Sequence, residues 1–556
     1  MGYHVFESCT SLKYIELPSS ASIGYDYTFY YCTAVNTVIC PSATPPSISN
    51  DPFASASAKS TITLQVPSVS VVSYKLDSYW YKFGTIIEGE DPDYWDVRSE
   101  LMLTNNRRMN GKPDIDIRRG ASLMVGGAAP MPVRSLMLEC SGSTSAALVN
   151  SCPFMTADSA YTDYYINDYG KWYFLSPIYD VDLLNAYHGN NSQYVFRRYN
   201  AANRASNGTG SSWQNVTDGV LHQGQGYILQ SNGTGWMHMP ALNHSDTLLF
   251  RTEDVEVPLQ TYVSENVANE SWNFIGNPYP AYYDIWYMDF TAPITVWTGS
   301  TYKAYSLADD NYALRPMEAF FVQKPETVDK IIFHKEGRQT TTSISHSNTS
   351  EAPARRNVLQ NTNRKVYNLS LMASDGMADE TRVVINDAAS IEYELSCDAS
   401  KFMSMDANCP QLYTLDLDGN RLAINERPLA DGMVSLGVQL PSTGEYTFAA
   451  VATQDITLID NQLGISHDLH AAPYTFTSDM EGENITRFSL LFGSRPVMTG
   501  LDNIDSQAGE SGCYIYTLDG KVAGYISGTT DIHTLSLPTG VYMVRAGKEY
   551  TKIVVR

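Results

Sequence analysis

Residues 6–18 read FESCTSLKYIELP and residues 29–41 read FYYCTAVNTVICP. An offset of 23 places Phe6 on Phe29, Cys9 on Cys32, Thr10 on Thr33, Leu12 on Val35, Ile15 on Val38 and Pro18 on Pro41. Apolar positions returning at a fixed period mark a solenoid, in which each turn of chain buries its inner face only against the next turn. The repeat core is therefore Phe6, Cys9, Leu12, Ile15, Phe29, Cys32, Val35 and Val38. Cys9 and Cys32 read as stacked core thiols, because no Cys/His pair accompanies them at a spacing that zinc requires.

The consensus F-x-x-C-T-x-L-x-x-I-x-L-P, followed by Ile23-Gly24, resembles the leucine-rich repeats of the BspA family of bacterial surface proteins. The resemblance covers residues 1–42 and implies an extracellular or outer-membrane-surface location. Residues 43–90, with TPPSISNDPF, then ITLQVP at 62–67, Tyr74-Lys75 and Tyr79-Trp80, resemble the flank that closes such arrays. A polar-sided cap is what a solenoid end needs. Two repeats fall short of the three that normally build a stable core. Met1-Gly2 begins inside a repeat with no charged and apolar leader before it, so further repeats and a signal peptide are expected upstream.

At 556 residues the chain is too long for one core. It has 43% hydrophobic and 17% charged residues and no apolar run of membrane-helix length, so no membrane-spanning segment is expected. A net charge of −23 opposes phosphate binding and excludes a nucleic-acid partner. The short basic pairs Arg107-Arg108, Arg118-Arg119 and Arg355-Arg356 read as solvated ends. Eight cysteines are too few for a disulfide framework, although Cys140 with Cys152 and Cys397 with Cys409 could close local loops in an oxidising exterior.

A second repeat lies in residues 91–335. Trp172, Phe174, Leu175 and Tyr179 fall on Trp272, Phe274, Ile275 and Tyr279 at an offset of 100, and GYILQ at 226–230 matches AFFVQ at 319–323. The duplicated stretches, around 172–230 and 272–323, read as two similar β units, packed in one sandwich or in tandem. Asn277-Pro278-Tyr279-Pro280 is a rigid turn, because the prolines fix φ and Asn tolerates turn geometry. Residues 336–365 lose aromatic side chains and gain Thr, Ser, Asn and Arg, the composition of a linker. Residues 366–495 return to alternating strands and tight turns, a further β-sandwich.

The end of the chain, residues 501–556, holds CYIYTLDGKV at 513–522 and GVYMVRAGKEYTKIVVR at 540–556. Each reads as a hairpin, the first with Asp519-Gly520 at its turn. The ordered set "YxLDGK", "LPxGVYxVR" and "KIVVR" resembles the C-terminal sorting domain of the type IX (Por) secretion system of Bacteroidetes. That resemblance assigns the sorting motif to Gly540, Tyr542, Val544, Lys552, Val554 and Arg556, and makes the type IX machinery a partner. The expected architecture is mainly β: a short leucine-rich-repeat solenoid end, tandem β-sandwich domains and a small Ig-like β C-terminal domain.

Catalytic signatures are absent: there is no HExxH, CxxC pair, GxSxG elbow or phosphate loop. No catalytic residue, metal ligand or cofactor is assigned. Asp416-Leu417-Asp418-Gly419-Asn420 resembles a calcium loop only superficially, since Gly stands fourth rather than sixth, and a hairpin turn is expected. His222, His238 and His244 could converge, and Asp180 and Asp182 point the same way on a strand, which suits water binding or turn capping as well as acid/base work. Tyr79-Trp80-Tyr81, Tyr282-Tyr283 and Trp286-Tyr287 could present rings to a sugar, but packing is expected. These readings lead to a non-catalytic surface protein that adheres to or recognises an unknown protein or glycan ligand. The alternatives are a glycan-binding module of a polysaccharide-use system, or the accessory region of a secreted protease or hydrolase.

Overall fold

The structure is a computed structural model describing residues 4–17, 27–40, 42, 44–48, 50–67, 70–87, 94–103, 112–128, 130–208, 212–243, 248–344, 364–429, 433–452, 456–492, 513–517, 522–526, 540–546 and 549–555. Strand makes up 47% and helix 7%, so the mainly β class expected from the sequence holds. The chain divides into two compact units. Residues 1–299 and 305–359 form one, residues 300–304 and 360–556 the other.

The first unit opens with the expected solenoid. Tyr14–Glu16, Thr37–Ile39, Thr63–Gln65 and Thr85–Ile87 form one parallel sheet, with Ile15, Val38, Leu64 and Ile86 in register on its inner side. Behind it runs a ring stack: Phe6 on Phe29 at 5.4 Å, Phe29 on Phe53 at 5.0 Å and Phe53 on Phe83 at 5.7 Å. Backbone φ is positive two residues before and after the first two rings, at His4, Ser8, Tyr27 and Tyr31, and again at Ser55. The rungs therefore share one local turn. Two rungs were legible in the sequence and the sheet has four strands. The third escapes a 23-residue offset because Thr37 pairs with Thr63, 26 residues on, and Ala56 stands where Cys9 and Cys32 stood.

A second coil follows, which the sequence reading did not anticipate. Tyr94–Val97, Asp114–Ile117, Met131–Ser141 and Met155–Ile166 are parallel neighbours in one sheet, while Glu100–Leu103, Ser122–Val125 and Ala147–Asn150 are parallel neighbours in another. The chain alternates between the sheets, so each circuit is a rung. Trp95, Ile115, Leu136 and Ala160 stack inward on one wall, and Leu101, Leu123 and Leu148 on the other. Gly120, at φ +79, turns the corner between walls, a conformation open to glycine at little cost. Cys140 and Cys152 lie on either side of this coil and are not joined. All seven described cysteine side chains are free thiols. Burial pushes the Cys140 thiol up to about 12, leaving it unreactive. Cys397 and Cys409 likewise stay apart and point their thiols at the Glu394 and Pro410 carbonyls.

The duplication is structural. Trp172–Leu175 pairs with Tyr227–Ser231, which pairs with Tyr194–Tyr199; Trp272–Gly276 pairs with Ala319–Gln323, which pairs with Ile294–Trp297. Val181–Asp182 with Val220–Leu221 corresponds to Tyr282–Asp284 with Ala313–Leu314. The copies touch reciprocally: Leu175 bridges to Glu318, and Ile275, its counterpart, bridges to Gln225, the counterpart of Glu318. This is the contact pattern of a two-fold interface. Rings fill it, with Phe174 on Phe274 at 5.6 Å, Phe174 on Trp297 at 5.5 Å and Tyr199 on Phe321 at 4.8 Å. A Cβ at Gly226 would lie 2.5 Å from the Phe274 ring, so the close approach needs glycine. Asn277 locks its turn from both sides, accepting from Tyr279 N and donating to the Ala281 and Arg315 carbonyls. The stretch expected as linker starts later than 336: Arg338–Gln339 pairs with Tyr282–Tyr283, and Arg338 donates to the Asn150 and Lys335 carbonyls.

The second unit is built on one long sheet whose two ends fold onto a shared core. Tyr474–Ser478 is at one edge and Ile456–Asp460 near the other, yet Phe476 meets Phe488, next to Ile456–Asp460, at 4.8 Å. Asp416 caps the expected hairpin turn, accepting from Asp418 N and Asn420 N. Lys401 and Asp379 form a fully buried ion pair at 2.6 Å, and Leu412 N and Thr301 Oγ1 also donate to Asp379. At the C-terminus, Val522–Ile526, Cys513–Thr517, Gly540–Ala546 and Glu549–Val555 form a four-stranded antiparallel sheet in that order.

Candidate functional site

In a solenoid the open face of the parallel sheet repeats the same side-chain position on successive rungs, which makes it a natural binding surface. Here the first row of that face is Tyr14, Thr37, Thr63 and Thr85, paired in register. Glu16, Ile39, Gln65 and Ile87 hold the second-row positions. The first row is uncharged, and Tyr14 is half exposed. The repeat core lies behind it. Ile15, Phe29, Cys32, Val35 and Val38 are buried, and Leu12 packs against them. Phe6 and Cys9, in the first rung, are exposed, while the Cys32 thiol donates to the Phe6 carbonyl at 3.0 Å. Burial holds the Cys32 thiol above its usual range.

The second coil carries a different surface, which needs three rungs to assemble and which the sequence reading missed. Arg118, expected as part of a solvated end, reaches from its corner to Asp96 at 2.6 Å, Asp116 at 3.0 Å and Glu139 at 2.8 Å, and donates to the Tyr94 hydroxyl. Burial raises the Asp116 carboxyl, whereas at Asp96 the two arginines, Arg118 and Arg98, outweigh burial and hold it low. Asp114 pairs with Arg134 nearby. One strand further, Asp163 meets His238 at 2.8 Å, and the His238 ring stands between Tyr161 at 4.7 Å and Tyr187 at 4.8 Å. Arg119 lies over both Tyr165 and Trp236. The only sequence signal was that Asp, Arg and Tyr alternate with apolar residues in DIDIRR and TDYYI.

Most of the other candidates resolve into structural roles, while Tyr81 is 54% exposed. Asp180 accepts from Gln223 N, and Asp182 caps the next turn through Leu184 N and Asn185 Nδ2. His222 lies 3.8 Å from Asp180 and His238 belongs to the coil's face, while His244 is outside the described residues. Trp80, Tyr282 and Tyr283 are buried, the Trp80 indole donating to the Pro46 carbonyl to tie the cap together. Among the described residues, one group could hold a metal ion: Asp254, His334 and Glu336, with donor atoms within 4.8 Å of one another. His334 Nδ1 lies 2.9 Å from one Asp254 oxygen and Lys335 N donates to the other, so hydrogen bonds hold two of the three.

Of the sorting motif, Gly540, Tyr542 and Val544 lie on one strand, with Tyr542 and Val544 buried. Lys552 is on the last strand, its Nζ 2.7 Å from the Met433 sulfur. The side chain of Val554 and all of Arg556 lie outside the described residues, as does the Asp519-Gly520 turn. No helix among the described residues is long and apolar enough to cross a membrane.

A family model described as a BspA type leucine rich repeat region (6 copies) matches residues 1–77. Another, described as a domain of unknown function (DUF8693), matches residues 281–492. No curated protein and no solved structure matches the chain. The chain is thus similar to BspA type repeat proteins through the third strand of its first solenoid, and to an uncharacterised domain from the second aromatic copy to Phe492, the end of the long sheet.

Proposed function

We propose that this protein is a non-catalytic surface recognition protein that holds a protein ligand on the open sheet of its N-terminal repeats and is exported through a type IX route by its C-terminal domain. The observation that carries the reading is the uncharged Tyr14, Thr37, Thr63 and Thr85 row on a BspA type repeat sheet. Proteins with such repeats are usually secreted or cell-surface, which supports the location. The four-stranded C-terminal sheet supports the tail's role only in presenting its motif as paired strands. On a chain with net charge −23, an uncharged row gives a ligand contacts that do not depend on the overall field.

Beads coated with the protein should adhere to host epithelial cells, lose adhesion when the cells are trypsin-treated, and lose it again when Thr37→Arg and Thr63→Arg charge the face. Adhesion untouched by both changes would refute the reading. For export, removing residues 540–556 in a type IX-competent host should leave the protein in the periplasm. Undiminished surface display would refute that part alone.

A further inference from the structure

We infer that the outer face of the second coil's larger sheet is a docking ledge for a neutral, β-linked glycan chain, distinct from the repeat sheet. Charge is the first argument. The chain carries 60 acidic against 37 basic side chains, yet the ledge and its rim set the five carboxylates described above against four arginines and His238. A near-balanced patch on a strongly acidic molecule does not select for a polycation or a polyanion. It offers carboxylate acceptors beside guanidinium and phenol donors, and a sugar hydroxyl, which both donates and accepts, satisfies both kinds.

Geometry is the second argument. Neighbouring strands lie about 4.8 Å apart, close to the rise of one pyranose unit in an extended β-linked chain. A glycan crossing the strands would therefore meet the same row position at each sugar: Glu139, Asp163 and His238 in register, with Arg118 bonded to Glu139 at the row's start. The last strands supply aromatic surface at Tyr187, 55% exposed beside His238, while Arg119 lies over the Tyr165 and Trp236 rings and edges the ledge. The Tyr187 ring offers an apolar face to sugar C–H groups and a wet hydroxyl to their oxygens.

Calorimetric titration of the full chain with cellohexaose, xylohexaose and mannohexaose tests this, with a polygalacturonate hexamer and a chitosan hexamer as charged comparators. At least one neutral hexamer should bind, more tightly than either charged one. Tyr187→Ala with Trp236→Ala should weaken that binding at least tenfold, and Tyr187→Ala alone, at an exposed ring, should weaken it measurably where the double variant fails to fold. Tyr169→Ala, exposed on the neighbouring turn, should leave it unchanged, as should Thr37→Arg with Thr63→Arg, which separates this ledge from the repeat sheet. No heat with any neutral hexamer on folded protein, tighter binding of a charged one, or binding indifferent to Tyr187→Ala overturns the inference.

Discussion

Replacing Phe29 by Ala should open the first solenoid while the second unit stays folded. Phe29 is 2% exposed and sits between Phe6 and Phe53, at 5.4 and 5.0 Å. Truncating a buried Phe costs about 3–5 kcal/mol through lost transfer energy and the cavity left behind. Phe6 is 40% exposed and stacks on one neighbour, so Phe6→Ala should cost about 1–2 kcal/mol, in proportion to the smaller apolar area removed from water. In a solenoid each rung is stabilised by its neighbours, so the loss is felt locally. With about 1.4 kcal/mol per power of ten, native-state hydrogen exchange at the Val38, Ile39 and Leu64 amides should accelerate roughly a hundredfold or more in Phe29→Ala and about tenfold in Phe6→Ala. Leu369 and Leu371 in the second unit should not change. Equal effects from the two substitutions, or acceleration at Leu369, would refute the stacked-rung account.

Further outcomes are expected elsewhere. Lys401→Met strands Asp379 as a buried, unpaired carboxylate and should cost about 3–5 kcal/mol in the second unit, read by hydrogen exchange there. Tryptophan fluorescence should not register it, because all eight tryptophans lie between residues 80 and 297. Gly226→Ala drives a methyl into the Phe274 ring and should cost about 1–3 kcal/mol, lowering the urea midpoint seen by that same fluorescence. Burial, with Glu426 and Glu394 adding to it, pushes the Asp398 carboxyl up to about 7 despite donation from two backbone N–H groups. A carboxyl raised on folding binds its proton more tightly in the folded state, so its stabilising effect is complete below about pH 4 and lost as the pH rises through about 7. Exchange protection of the second unit should fall over that window, and Asp398→Asn should flatten the fall.

The first two rungs were legible because each uses the same residue type at the same place, Phe6 and Phe29, Cys9 and Cys32, Ile15 and Val38. The third rung replaced its cysteine with Ala56 and changed its length, and a fixed offset cannot follow that. The second coil was illegible for two physical reasons. Its rungs advance by unequal steps, Tyr94 to Asp114 to Ser135 to Ser159, and its inward residues range from Trp95 to Ala160. Alternation such as DIDI also reads alike in parallel and antiparallel sheets. The Arg118 site needs Asp96, Asp116 and Glu139 from three rungs, so no local pattern contains it. The duplication was readable because Phe174 and Phe274 fill equivalent places in a packed interface, where volume is hard to change.

That interface has a consequence for how the chain assembles and evolves. Two subunits meeting through Leu175 with Glu318 and Ile275 with Gln225 would ordinarily answer to mass action, separating on dilution. Carried on one polypeptide, the halves meet at an effective concentration set by the connecting chain rather than by expression level. Symmetry is then no longer enforced, because a substitution in one half is not copied into the other. Gly226 where the other half has Ala319, and Gln225 where it has Glu318, record that release. One half has remained fused to the coil through Met155–Ile166, while its twin touches the coil through Tyr282, whose hydroxyl accepts from Ser145 N, and Pro280, whose carbonyl accepts from Leu148 N, so the two halves drift under different constraints.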